Sequence, residues 1–162
     1  GFQSQIRTET SFDFNKTVFL KAMKDYYNST NLYCDIALWT SFSNLIEGTC
    51  GMACYQKLKN SFDKVKGLDY RYLNLFHEHK KCMRMRMEYI NKKGYFDCDL
   101  GFMAEGYREL EEMFKKTLAV DFKYSFVGDD AKEKVKKKIM NSIDKIEQKE
   151  MELRTKFLEM VE

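Results

Sequence analysis

The amino-acid sequence predicts an all-α fold, a single-domain bundle of five or six helices with a long C-terminal helix. Three observations carry that expectation. The 162 residues contain no proline, so nothing in the chain removes an amide donor or breaks a long helical run. Apolar residues recur every three or four positions through most of the chain, and near the C-terminus they settle into a seven-residue repeat. A chain this long can bury roughly two-thirds of its unfolded surface in one core, and no Gly/Ser linker divides it. The expected domain therefore spans 1–162, with 1–11 as a loose N-terminal segment.

The first helix is capped by Ser11 or Asp13 and carries Val18, Phe19, Ala22, Met23, Tyr26 and Tyr27 at helical spacing, ending near Asn28. A second covers about 32–47, with Ile36, Trp39, Leu45 and Ile46 apolar and Gly48 as its stop. The third runs over about 50–66, with Cys54, Leu58, Phe62 and Val65 on one face. A short turn at 67–69 leads into a fourth, where Leu73, Phe76, Met83, Met87 and Ile90 hold the period until Lys92, Lys93 and Gly94 end it. These two helices read as a tight antiparallel hairpin.

A fifth helix is expected over about 99–118. The stretch after it alternates Val120, Phe122, Tyr124 and Phe126 with polar residues, and with no strand to pair it is read as a buried connection. The last helix opens on a capping box, Asp130 with Glu133, and its seam is Ile139, Ile143, Ile146, Leu153, Phe157 and Met160. Glu150 interrupts that seam, so packing there is expected to be looser or to include a lysine or arginine partner.

The five cysteines propose staples. Cys54 lies 13 residues before the 67–69 turn and Cys82 lies 13 after it, so equal rise places them at one height on adjacent helices. Cys54–Cys82 is the first expected disulfide. Cys50–Cys98 is the second, because Cys98 returns to the level of Ile90 opposite the start of the third helix. Cys34 is left over. Two sequons, at Asn15 and Asn28, join these pairs in pointing to a secreted glycoprotein; five reduced thiols in a cytoplasmic protein is the alternative.

Catalytic patterns are absent from the sequence. There is no Gly-x-Ser-x-Gly elbow, and the two histidines, His77 and His79, lie about 200° apart on a helix. His79 and Cys82 share a face, yet with Cys50 or Cys54 added they would compete with the disulfides. Solvated histidines, no metal and no cofactor are expected. Met85 is expected to point away from Met83 and Met87.

The formal net charge of +3 is too small to argue for specific nucleic-acid binding. No run approaches the length of a membrane span. Lys80, Lys81, Arg84, Arg86, Lys92 and Lys93 read as a solvated basic face, while Lys134, Lys136, Lys137 and Lys138 offer weak polyanion binding. Met151, Leu158 and Val161 lie off the terminal seam and are the candidate contact with a partner. The function expected is therefore a non-catalytic, secreted helical interaction protein that binds a protein or cell-surface partner. The alternative is a carrier of a hydrophobic small molecule in a helical cavity.

Overall fold

Five α-helices account for the regular structure of the computed structural model, which describes residues 13–30, 49–64, 70–124 and 126–161. They are α1 (Lys16–Asn28), α2 (Ala53–Lys64), α3 (Tyr70–Lys93), α4 (Gly101–Tyr124) and α5 (Asp129–Val161), with no strand among the described residues. The expected helix at 32–47, its stop at Gly48, the 67–69 turn, the Ser11 cap, the 1–11 segment and Cys34 lie outside the described residues.

The last three helices share one sequence logic. Buried positions fall on one face of each: Leu73, Lys80, Met83, Met87 and Ile90 on α3, with partly buried Phe76 filling the step of seven; Met103, Tyr107, Leu110, Phe114, Thr117 and Asp121 on α4 and Ile139, Ile143, Ile146, Glu150, Leu153 and Phe157 on α5, where the steps alternate fours and threes. Each fully buried aliphatic or aromatic side chain contributes roughly 1.5–3 kcal/mol relative to exposure in water. α3 packs along α4, and α4 along α5. Cross-helix ion pairs run along the antiparallel contacts: Arg84–Glu111 at 2.7 Å and Arg108–Glu88 at 2.9 Å between α3 and α4, and Lys149–Glu109 between α5 and α4.

The two shorter helices lie end to end against α5. On α1, Phe19 meets Phe157 edge-on at 6.5 Å and Tyr26 reaches Glu150; on α2, Tyr55 reaches Glu150 and Lys59 pairs with Asp144 and Glu147 at 3.0 and 2.7 Å. Residue 150 thus marks the level at which α1 gives way to α2.

That junction is built from a few groups. Asn15, rather than Asp13, caps α1 by accepting from Val18 N at 3.0 Å. At the other end Ser29 adopts φ 58° and closes α1, while its hydroxyl accepts from Ala53 N at 2.8 Å and so caps α2 as well. Met52 N donates to Tyr26 O at 3.1 Å. Gly51 between them has φ +60°, and a Cβ there would collide with Tyr26 O, so only glycine fits.

Several sequence expectations need correction. α2 makes close backbone contacts with α5 and also faces α3, where the Tyr55 ring lies 5.1 Å from Phe76. Neither expected disulfide forms: Cys50, Cys54, Cys82 and Cys98 are free thiols. Equal rise fixes height along a helix but not the direction a side chain takes. Cys82 sits off the buried stripe of α3 and faces solvent, Cys54 Sγ donates to Thr49 O and Cys50 Sγ to Ser29 O. The 120–126 stretch is no buried connection, since α4 continues to Tyr124 and leaves Phe122 and Phe126 exposed. α5 starts at Asp129, with Gly128 O accepting from Ala131 N and Lys132 N, and Asp129 pairs with Lys132. Met160 leaves the seam and is 40% exposed.

Candidate functional site

The most unusual chemistry of the molecule sits at the α1–α2 junction. Lys80 and Glu150, each 0% exposed, interrupt the apolar stripes of α3 and α5 and meet there. Lys80 Nζ donates to both Glu150 oxygens at 2.7 Å and to Tyr26 OH at 2.8 Å, which uses all three ammonium protons. Tyr26 OH donates onward to Glu150 Oε1 at 2.9 Å and Tyr55 OH donates to Oε2 at 2.6 Å. Four elements therefore hold one ion pair: Tyr26 from α1, Tyr55 from α2, Lys80 from α3 and Glu150 from α5.

Aromatic faces surround the ammonium, with Tyr55 at 5.2 Å, Tyr26 at 5.4 Å and Phe76 at 5.9 Å from the ring centroids. Burial lowers the Lys80 ammonium below the ordinary lysine range, and the Glu150 charge opposes that shift. Burial raises the phenols of Tyr26 and Tyr55 well above their ordinary range, reinforced by the same carboxylate. Both phenols are hydrogen-bond donors at all physiological pH values. Among the described residues no buried side-chain nitrogen or oxygen lacks a partner.

His79 belongs to the wall of this site. Its ring stacks on Tyr26 at 5.1 Å, so it is not the solvated histidine the sequence led us to expect. Burial first, then the Lys80 charge, pushes its pKa down to about 4, and the imidazole is neutral at pH 7. No group of three or more histidine, cysteine, aspartate or glutamate side chains among the described residues is placed to hold a metal ion.

Outside the knot the surface opens. Two pockets of about 290 Å³ each lie between α2 and α3, and both are lined by Cys54, Leu75 and Phe76. One is completed by Tyr26, Gly51, His79 and Lys80, the other by Leu58, Lys57 and Tyr72 among others. Together they form a largely apolar trough whose lip is Leu75, 67% exposed, and the half-exposed Tyr72. Burial raises the Cys54 thiol above its ordinary range, which leaves it a weak nucleophile.

The remaining sequence candidates are scattered. Asn15 and Asn28 are exposed at the two ends of α1, and Asn28 Oδ1 accepts from Arg154 at 2.7 Å. Met151 is half exposed, but Leu158 and Val161 pack partly buried against the core. The basic face expected on α3 breaks up, because Lys80 is buried and Arg84 is committed to Glu88 and Glu111. Met85 is exposed while Met83 and Met87 are buried, as their alternation requires.

One signal for the site was present in the sequence. The α3 stripe reads Leu73, Phe76, residue 80, Met83, Met87 and Ile90, and residue 80 is a lysine, as residue 150 in the α5 stripe is a glutamate. Opposite charges at seam positions of two helices are a pairing signal; grouping Lys80 with its basic neighbours hid it. No protein-family model matches the chain, and comparison with curated proteins and with solved structures finds no match.

Proposed function

We propose that the protein is a non-catalytic interaction protein, its helices joined in a single bundle, that binds a protein partner through the α2–α3 trough. The observation that carries this reading is the pair of adjoining apolar pockets, which share Cys54, Leu75 and Phe76, with exposed Leu75 and Tyr72 at their lip. Large apolar side chains grouped around an open concavity favour an apolar stripe from a partner. The neighbouring polar groups support binding over chemistry: Lys80 and Glu150 saturate one another, and the Cys54 thiol is held protonated.

Carriage of a small hydrophobic molecule is the second reading. A volume of about 290 Å³ stands at the lower end of small-molecule sites, but both pockets open to solvent where a carrier needs an enclosed cavity. The trough also draws the contact surface away from the C-terminal segment, where Leu158 and Val161 are already partly engaged.

Residence outside the cell is part of the proposal and rests on the exposed sequon asparagines, Asn15 and Asn28. Expression through a secretory pathway should give a mass increment that peptide N-glycosidase removes.

A photo-crosslinking side chain at position 75, compared with one at exposed position 105 on α4, tests the trough. With extracellular fluid as the source, one defined protein crosslinked from 75, absent from 105 and competed by unlabelled protein, is the expected result. A small apolar molecule retained in native mass spectrometry, with no crosslinked protein, would transfer the assignment to the carrier. Equal labelling from 75 and 105 would remove the trough from consideration.

A further inference from the structure

A second, unrelated feature lies where α4 turns into α5. Phe122 is 69% exposed and Phe126 74% exposed, and their rings lean together with centroids 5.0 Å apart. Two nearly naked phenylalanines at the end of a helical pair are costly in water, since neither gains the roughly 1.5–3 kcal/mol of a buried aromatic. The same end is rich in cations: residues 115–138 contain eight lysines against four acidic residues. Of the acids, Asp121 is buried and Asp129 is paired with Lys132 at 2.7 Å. Lys123, Lys134, Lys137 and Lys138 are exposed. The α5 lysines lie within about 14 Å of its first residue along the helix axis.

We propose that this end docks on an anionic lipid surface, with Phe122 and Phe126 entering the headgroup region and the surrounding lysines neutralising lipid charge. No helix among the described residues is long and apolar enough to cross a membrane, so the contact is interfacial. The charge of the lysines fits anionic headgroups, whose potential acts over about a Debye length, roughly 8 Å at physiological salt. The rings decide between lipid and a soluble polyanion. A polyanion rewards the lysines alone, whereas a bilayer also takes up exposed aromatic rings to a depth of about 5–10 Å. A convex pair of rings at a helical turn also suits a deformable surface better than a preformed protein pocket.

Flotation with phosphatidylcholine vesicles, with and without about 30 mol % phosphatidylserine, tests the proposal. The protein should float with the anionic vesicles only, and binding should fall steeply when salt is raised to about 0.5 M. The double variant Phe122→Ser/Phe126→Ser should bind about tenfold or more weakly at low salt, with its helical circular dichroism unchanged. Lys134→Glu/Lys137→Glu/Lys138→Glu should abolish flotation. In Phe126→Trp, bromolipid quenching beyond that of the parent protein should report ring insertion. Absence of flotation with anionic vesicles at low salt would overturn the proposal. So would full vesicle binding by the phenylalanine double variant that heparin displaces, since that pattern assigns the lysines to soluble polyanions. Retention of the rings in a protein complex, without quenching by bromolipid, would overturn it in favour of a protein partner.

Discussion

Two regions of the molecule invert the usual rule of burial in opposite senses. At the α1–α2 junction a lysine and a glutamate are sealed away from water, and at the α4–α5 turn two phenylalanines face it. The difference lies in what compensates each. The buried charges are compensated within the chain: every ammonium proton has an acceptor, and both carboxylate oxygens accept from a phenol and the ammonium. The exposed rings lean on one another and otherwise face mostly water. An inversion answered from inside is architecture, and here it joins four helices at one point. An inversion left open is a surface waiting for something else.

The largest test of that contrast is to break the ion pair from one side. Glu150→Leu or Lys80→Met leaves an uncompensated charge in the core and should destabilise the protein by about 3–5 kcal/mol in urea unfolding. The double variant Lys80→Met/Glu150→Leu should recover most of that loss. If both singles cost under about 1 kcal/mol, the knot is not what holds α1 and α2 in place.

The next effect is a pH dependence on the wall of the knot. In the folded protein His79 titrates at about 4, against 6.5 for an ordinary histidine. Above pH 7 both the folded and unfolded forms are neutral, and the group contributes no difference. As pH falls from 6.5 towards 4 the unfolded chain takes up a proton that the folded chain refuses, so stability drops by roughly 2–3 kcal/mol. His79→Gln should flatten that part of the profile. Urea midpoints of the two proteins at pH 7 and pH 4.5 provide the measurement.

Gly51→Ala probes the junction without touching a charge. Its φ of +60° and the Tyr26 carbonyl leave no room for a Cβ, and a loss of about 2 kcal/mol in thermal unfolding is expected. Smaller again is Leu158→Ser/Val161→Ser. Both side chains are partly buried against the core, so the pair should lower stability by about 1–2 kcal/mol. Unchanged stability would return this face to the list of contact surfaces. At the exposed end, Phe122→Ser/Phe126→Ser should leave the unfolding midpoint within about 0.5 kcal/mol of the parent, because neither ring is packed. A larger loss would mean that the rings are structural and would erase the contrast with the knot.

Much of the fold could be read directly from residue order. The α5 seam, the end of α1 at Asn28, the Gly94 stop and the opposite facings of Met83 and Met85 follow from spacing, because helical periodicity is a local property. Even the partner of Glu150 was foreseeable as a class, a basic residue, from the break it makes in an apolar seam. Its identity was not. Lys80 sits among Lys81, Arg84 and Arg86, and local sequence reads that group as one solvated face.

The cysteines show the same limit from the other side. Residue counting places Cys54 and Cys82 at matched heights, yet Cys82 faces solvent and Cys54 Sγ donates to Thr49 O, so the thiols do not meet. Likewise, Val120 to Phe126 alternate like a buried strand, yet α4 carries the period through to Tyr124 and leaves the rings in water.

What the order of residues determined by itself is the helical class, most helix ends and which face of α3 and α5 is apolar, all of which depend on neighbours within one or two turns. Tertiary structure alone decided which helix covers which, that α1 and α2 meet over Glu150, and that a lysine from α3 is drawn into that gap. The reason is physical: a charge is buried only where partners from several distant segments converge to satisfy it, and no local pattern records that convergence.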